Sequence, residues 1–312
     1  MTITQLQYVL AIAEQRNFTK AAEKCFVTQP TLSTQIQKLE DELDIIIFNR
    51  NKKPIELTEV GKKIVKQARS IVSEAERIQD IVDQQKGFIG GEFRLGIIPT
   101  IMPTLLPMFL SNFINKFPKV KLKIEELTTD EIIMRLNDGH LDAAIVATPL
   151  TLDSINERVL YYEPFVAYIP RNHRLRNKNK IVSADLDIHD MLLLEDGHCF
   201  REGVINLCKS FKVETEGKFH LESGSIETLI RLSNEGLGMT LLPYLHTLEI
   251  KETLNENLRH FEDPIPAREV SIIFHKSELK MQIIEALHKV ISGVIRGAIA
   301  FQNIEIISPK SK

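Results

Sequence analysis

Two of the three cysteines in this 312-residue chain stand nine positions apart, in Gly197-His198-Cys199-Phe200-Arg201-Glu202-Gly203-Val204-Ile205-Asn206-Leu207-Cys208. A thiol reacts as its thiolate, which neighbouring positive charge or a helix N-terminus stabilises. With His198 and Arg201 beside it, Cys199 is the candidate reactive thiol. Beyond it, Val204, Leu207 and Phe211 recur at spacings of three and four, the pattern of a short amphipathic helix. At about 1.5 Å of rise per residue such a helix holds the two Cα atoms roughly 13 Å apart, against a disulfide limit of about 7 Å. A bond between Cys199 and Cys208 then requires the segment to unwind, and a pair of that kind works as a switch, because its two redox forms cannot share one backbone. The competing reading is two small core residues, since free cysteine is among the most buried residue types. No Cys-x-x-Cys, His-Glu-x-x-His, Gly-x-Ser-x-Gly or phosphate-binding glycine loop competes with the pair, so neither a metal nor another cofactor is expected.

The thiols must be held by the elements around them. From Glu92 onward, strand-like runs at Phe93–Ile98, Lys121–Glu126, Ala143–Ala147, Val166–Ile169, Met191–Leu194, Met239–Leu242 and Val270–Phe274 alternate with helical patterns. That alternation predicts an α/β fold with largely parallel sheets, whose ligands gather at the C-terminal ends of strands. Thr100 and Thr129, each just after one of the first two strands, are placed to face such a crevice, although a threonine there is more often a helix cap.

Residues 4–60 read as three short helices and a turn-rich arm, with helix-turn-helix spacing. On the third helix, starting at Gln29 or Pro30, Leu32, Ile36, Leu39 and Leu43 share one face; Pro30, Thr34, Gln37 and Asp41 lie opposite, with Ser33 and Lys38 on the flanks. Thr28 as N-cap and proline in the first turn define its start. A helix small and polar at its outward N-terminal end can enter a major groove and reach base edges. The basic arm Phe48-Asn49-Arg50-Asn51-Lys52-Lys53-Pro54 could track phosphates, with Lys20, Lys24 and Lys38 adding to it. The alternative is a solvated helical module for protein contact, to which the acidic run Glu40-Asp41-Glu42 lends some support. From Thr58 to about Lys86 one long helix carries an apolar heptad seam, Gly61, Ala68, Ala75 and Val82 interleaved with Ile64, Ile71 and Ile78. It reads as a dimer seam, against the alternative of a helix packed on its own domain. Gly87, Gly90 and Gly91 mark a linker after it.

The length predicts two or more domains. A net charge of -3 announces no nucleic-acid partner by itself, so DNA binding has to come from local placement of charge. With no membrane-length apolar run and no basic-then-apolar leader, a cytoplasmic location and no membrane partner are expected. Three cysteines do not make a secreted disulfide framework, and in a reducing compartment a close pair reads as regulatory.

Phe18-Thr19-Lys20-Ala21-Ala22, Thr28-Gln29-Pro30-Thr31-Leu32-Ser33 and Gln35-Ile36-Gln37-Lys38-Leu39-Glu40-Asp41-Glu42-Leu43 together resemble the LysR-type transcriptional regulators. Phe48-Asn49-Arg50 and Leu57-Thr58-Glu59-Val60-Gly61 continue the likeness, and Gly236-Leu237-Gly238-Met239-Thr240-Leu241-Leu242-Pro243 is similar to the family's effector-domain signature. The resemblance spans essentially the whole chain. It implies an α/β architecture in three parts: a winged helix-turn-helix DNA-binding domain over 1–58, a linker dimerisation helix over 59–87, and a periplasmic-binding-protein-like, redox-sensing effector domain over 88–312. The effector domain would comprise two α/β subdomains, I at about 92–163 and 268–303 and II at about 164–267. DNA contacts are expected from Thr28, Gln29, Pro30, Thr31, Ser33, Thr34, Gln37, Lys38, Arg50, Lys52 and Lys53, and dimer contacts from Ile64, Ala68, Ile71, Ala75, Ile78 and Val82.

Within the family, Gly197-His198-Cys199-Phe200-Arg201 with Cys208, Ile98-Pro99-Thr100, Thr129 and Pro266-Ala267-Arg268 are similar to the hydrogen-peroxide-sensing members. This implies that peroxide oxidises Cys199 to a sulfenic acid, that Cys208 resolves it to a disulfide, and that Thr100, Thr129, His198 and Arg268 hold the peroxide. It also implies a homotetramer that contacts promoter DNA differently in its two redox states. Such a regulator recruits RNA polymerase to catalase, peroxidase and iron-sequestration genes and is reset by a thiol reductant of the glutaredoxin or thioredoxin system. Departures occur at Thr34 and Gln37, where many members carry glycine or a basic residue, at Glu202 in place of aspartate, and at Phe200 in place of leucine. Two other functions compete: a LysR-type regulator that binds a small organic effector in the same crevice, and a thiol peroxidase whose N-terminal module only dimerises.

Overall fold

A computed structural model describes residues 1–85, 89–208, 224–299 and 304–309. Gly87, Phe211 and the expected boundary at 87 to 88 lie outside the described residues. The chain divides into two compact units, Met1–Phe88 and Ile89–Lys312.

In the first unit each short helix begins at a polar cap. Thr2 and Gln5 form a capping box at α1 (Ile3–Gln15), Asn17 caps α2 (Phe18–Lys24), and Thr28 caps α3 (Gln29–Leu43) by accepting from the Thr31 amide, with Pro30 in the first turn. A cap satisfies amides that have no partner within the helix. Leu32, Ile36 and Leu39 are fully buried against Leu6, Val9, Ile12, Ala21 and Phe48, which leaves Thr28, Gln29, Pro30, Thr31, Thr34, Gln37 and Lys38 exposed and Ser33 half-buried. An antiparallel wing follows, β1 (Phe48–Asn49) paired with β2 (Glu56–Leu57).

Glu40 belongs to the interior and not to an acidic surface run. It is buried, its Oε1 accepts from the amides of Ile47 (2.7 Å) and Phe48 (3.2 Å), and its Oε2 accepts from Arg50 Nη2 at 2.7 Å. One carboxylate thus ties the recognition helix to the base of the wing.

The long helix α4 (Glu59–Gln85) corrects part of the seam expected from its heptads. Gly61, Val65, Ala68 and Val72 are buried in the first unit's own core. A Cβ at Gly61 would stand 2.2 Å from the Ile47 carbonyl oxygen, so the glycine serves the wing and not a partner helix. Ala68, fully enclosed, is not a dimer contact, and Ile64 and Ile71 pack at the edge of the same core. The outward seam narrows to half-buried Ala75 and exposed Ile78 and Val82.

The second unit opens with β3 (Gly91–Ile97), α5 (Met102–Lys116), β4 (Val120–Glu126), α6 (Thr129–Asn137) and β5 (Ala143–Thr148), its strands parallel in the order β4-β3-β5. There follow β6 (Ile155–Tyr168), β7 (Lys180–Ile181), α7 (Cys199–Leu207), α8 (Ile226–Asn234), β8 (Thr240–Pro243), α9 (Tyr244–Thr247), β9 (Leu258–Phe261), β10 (Ile265–His275), α10 (Met281–Ala298) and β11 (Ile304–Ile306). The nine-stranded sheet is mixed, not largely parallel: β10 lies antiparallel to both β5 and β6, and β6 antiparallel to β8 and β9. The reason is that β6 and β10 are long strands running in opposite directions through two hydrophobic cores. One core holds Leu160 and Tyr161 of β6 with Val270 and Ile272 of β10; the other holds Phe165, Ala167 and Tyr168. The strand expected at Val166–Ile169 is the end of β6, and the one at Met191–Leu194 reduces to a single bridge from Met191 to Met239.

Replacing Glu40 with alanine leaves the Ile47 and Phe48 amides without their acceptor. A loss of about 1–3 kcal/mol is expected in denaturant unfolding, with faster hydrogen exchange at these two amides than in the parent protein.

Candidate functional site

Cys199 is the first residue of α7, with His198 as N-cap. Its side chain, half-buried, packs on the core that holds Leu160 and Val270, while the next residue, Phe200, belongs to the other core. Burial pushes the thiol above its ordinary value. Against that act the Arg268 charge, the Thr129 side chain and the backbone amides of Ala147 and of Cys199 itself, all favouring the thiolate.

The adjacent charges expected to activate the thiol are engaged elsewhere. Arg201 pairs with Asp196 at 2.8 Å and donates to the Leu194 carbonyl at 3.1 Å; His198 Nε2 lies 3.4 Å from Glu195 Oε1. The positive charge acting on Cys199 comes from Arg268, on a distant strand.

Arg268 is 3 % exposed and held from several sides. Its Nε and Nη2 donate to Glu163 Oε2 at 2.9 and 2.6 Å, Nη1 to Thr100 Oγ1 at 2.9 Å, and Nη2 to the Thr100 carbonyl at 3.0 Å. Its guanidinium lies 5.2 Å from the Phe200 ring centroid, within cation–π range. Glu163 and Arg268 face each other in the β6–β10 register, which sets both side chains on one face of the sheet. Glu163 Oε1 accepts from the Leu245 amide at 2.9 Å.

Neither crevice threonine is a helix cap. Thr128 caps α6 in a capping box with Glu131, and Ile101 stands at the cap position of α5. The Thr129 hydroxyl is buried, makes no well-formed hydrogen bond among the described residues, and lies beside the thiol whose anion it favours. Structure therefore brings Thr100, Thr129, Arg268 and Cys199 together, and turns His198 toward Glu195.

Cys208 ends α7 in extended conformation, 4 % exposed within the second core. Burial, with Asp187 adding to it, pushes its thiol up to about 11. Both thiols are free, and each packs on a different core. A sulfur buffered by burial but surrounded by donors and one fixed cation is suited to attack a small neutral oxidant, because the donors gain most when charge develops.

In the first unit the polar N-terminal face of α3 is exposed, but several of the expected DNA contacts are already paired. Arg50 is bound to Glu40 and Lys52 to Glu56 at 2.6 Å, Lys24 pairs with Glu14, and Gln37 donates to Asp41 at 2.8 Å. Lys38 and Lys53 are exposed. Cys25, at the end of α2, is half-buried at the edge of the helix-turn-helix core. Phe26, in the turn before α3, is 96 % exposed at φ 55. Glu163 is not among the residues the sequence singles out; its one available signal is a carboxylate inside the apolar run Val159-Leu160-Tyr161-Tyr162-Glu163-Pro164-Phe165-Val166.

Residues 3–62 match the bacterial regulatory helix-turn-helix protein model of the lysR family, and residues 86–294 match the LysR substrate binding domain. The hydrogen peroxide-inducible genes activator of Pectobacterium carotovorum subsp. carotovorum is 34% identical over 274 residues, covering 88% of this chain and 90% of that protein. Full-length OxyR C199D from Pseudomonas aeruginosa superposes with a TM-score of 0.76 at 34% identity, covering 94% of this chain and 98% of that one. A cysteine-to-serine variant of Corynebacterium glutamicum OxyR with hydrogen peroxide bound gives a TM-score of 0.65 at 26% identity, over 97% and 98% of the two chains.

A cleft of about 690 Å³ is lined by Pro99, Glu126, Ser225, Ile230, His246 and Lys251. His246 Nδ1 is shut off from solvent without a partner among the described residues; burial, then the Arg268 charge, pushes the imidazole down from 6.5 to about 4. The folded state therefore binds fewer protons here than the unfolded chain, and stability falls as pH drops from 6.5 toward 4. In His246→Gln this contribution disappears: the stability difference between variant and parent in urea melts is expected to change across that window and to be flat above it.

Proposed function

The chain belongs to the LysR family of bacterial helix-turn-helix regulators, and from that premise we propose that it is a DNA-binding transcriptional regulator, mainly an activator, of peroxide-stress genes. Hydrogen peroxide is its signal, Cys199 the peroxidatic thiol and Cys208 the resolving thiol. The observation that carries the reading is one sulfur at a helix start, with Thr129 and the anchored Arg268 favouring its anion and a second thiol buried in another core.

The chemistry follows from these placements. The Cys199 thiolate attacks one peroxide oxygen, an S–O bond forms as the O–O bond breaks, and the departing hydroxide takes a proton to leave as water. Arg268, held by Glu163 and Thr100, and the Thr129 hydroxyl favour the negative charge that moves from sulfur to the leaving oxygen. The Cys208 sulfur then attacks the sulfenic sulfur and a second water leaves as the disulfide forms. Because Cys199 and Cys208 bracket α7, that bond requires the helix to unwind, and the redox state becomes a backbone state. The oxidised thiol is a signal awaiting reset, so the protein is a regulator and not a turnover enzyme.

In this reading 1–58 is the DNA-binding domain, 59–87 the dimerisation helix through Ala75, Ile78 and Val82, and 88–312 the sensor, with subdomains at about 92–163 with 268–303 and at about 164–267. Base edges are reached from Thr28, Gln29, Pro30, Thr31, Ser33, Thr34 and Gln37, and phosphates from Lys38 and Lys53. RNA polymerase, a glutaredoxin or thioredoxin reductant and a homotetrameric assembly complete the partners, in the cytoplasm. No helix among the described residues is long and apolar enough to cross a membrane.

Footprinting on promoter DNA with parallel thiol mapping tests the proposal. Peroxide is expected to shift the footprint in step with a Cys199–Cys208 disulfide, and Cys199→Ser to abolish both; an unmoved footprint with free thiols in the parent protein transfers the function to a small effector in the cleft lined by Pro99 and His246. Binding is also expected to weaken with salt, each phosphate-bound lysine contributing about one unit of the log–log slope. Lys53→Ala should lower that slope by about one, whereas Arg50→Ala, which leaves Glu40 Oε2 without its partner, should act mainly through wing stability.

A further inference from the structure

Arg268 has five N–H donors, and four are engaged: Nε and one on Nη2 by Glu163, the other on Nη2 by the Thr100 carbonyl, and one on Nη1 by the Thr100 hydroxyl. A single Nη1 hydrogen has no acceptor among the described residues. Glu163, 1 % exposed, is the only carboxylate bonded to this guanidinium among the described residues, and its other oxygen is tied to the Leu245 amide. The carboxylate is thus anchored to the backbone at one oxygen and grips Arg268 at the other. Its position on β6 opposite Arg268 makes that grip a property of strand register and not of a mobile side chain.

We propose that Glu163 is a positioning residue for oxidation of Cys199: it holds the Arg268 guanidinium in place beside the thiol and sets how much of its charge the sulfur experiences. The inference rests on Cys199 being the oxidised thiol. The charged and titratable groups around the pair are Tyr161 on β6, whose buried hydroxyl is unpartnered among the described residues, and His246 on α9, both sensing Arg268. On α7 and its approach, His198 and Arg201 are turned to Glu195 and Asp196. None of these is bonded to the guanidinium. Removing the Glu163 charge therefore unmasks Arg268 toward Cys199, whereas shortening Glu163 keeps the charge but releases the grip.

The test uses the full-length protein carrying Cys208→Ser, so that Cys199 stops at the sulfenic acid. Two rates are followed at the Cys199 peptide by mass spectrometry: alkylation by iodoacetamide against pH, which reads the thiolate, and dimedone-trapped oxidation by hydrogen peroxide. Glu163→Gln is expected to lower the alkylation midpoint by about one pH unit, roughly tenfold more thiolate below it. Glu163→Asp is expected to slow peroxide oxidation about tenfold relative to alkylation at the same pH: the ratio divides out any change in thiolate, and the displaced guanidinium no longer meets the charge that develops on the leaving oxygen. A merely structural role moves melting curves and leaves both quantities at parent values, and that result in folded variants would overturn the proposal. Should Glu163→Gln not fold, the oxidation-to-alkylation ratio in Glu163→Asp decides alone. Absence of sulfenic acid in the Cys208→Ser parent is a separate outcome: it brings down the sensing reading and the role of Glu163 with it.

Discussion

A buried ion pair between Glu163 and Arg268 sits where the two long strands of the sensor unit pass from one core to the other. Taking two charges out of water costs several kcal/mol per ion unless nearly every donor and acceptor is matched. The surrounding structure reads as the matching: the Thr100 hydroxyl and carbonyl, the Leu245 amide at the start of α9, and the Phe200 ring. Each of these contacts also fixes a piece of the crevice. The loop after β3 and the first turn of α7 meet at the guanidinium and the first turn of α9 at its carboxylate partner, so the electrostatics that make the pair tolerable also assemble the thiol site.

The same junction bears on the switch proposed for α7. Its first residue rests on one core while Phe200, Val204, Leu207 and Cys208 are buried in the other. Burial of the three large side chains stabilises the helix by about 1.5–3 kcal/mol each. A hydrogen bond from Asn206 to the Ser308 carbonyl further ties the helix to the segment beyond β11. Cys208 is enclosed in the second core with its thiol pushed up to about 11, so the proposed disulfide also requires that core to release it.

The DNA-binding unit repeats the device of a buried carboxylate at a junction. Glu40 satisfies two wing amides and neutralises Arg50, linking the orientation of the wing to that of α3. Gly61 lets α4 pass against the Ile47 carbonyl, so the base of the wing is clamped from both sides. Part of what resembles a DNA-contacting or dimerising surface in one dimension is therefore internal bracing in three.

Much of this protein is legible along the chain because much of it is local. Helix α3 could be bounded from Thr28, Pro30 and its apolar spacing, and the strands near Phe93, Lys121 and Ala143 from short apolar runs, since caps and periodicities act within a few residues. The thiol pair and the threonines after the first two strands were legible as residue types at informative spacings. What the tertiary structure alone decided is which distant groups meet. The resemblance groups Thr100 and Arg268 with the peroxide, but nothing near Cys199 announces that Arg201 and His198 turn away from it, that Glu163 lies opposite Arg268, or that Thr100 bonds the same guanidinium, because the last two contacts join segments more than a hundred residues apart. The mixed sheet escaped for the same reason: an apolar run predicts a strand, but its direction and neighbours are settled only when two cores form around β6 and β10 together.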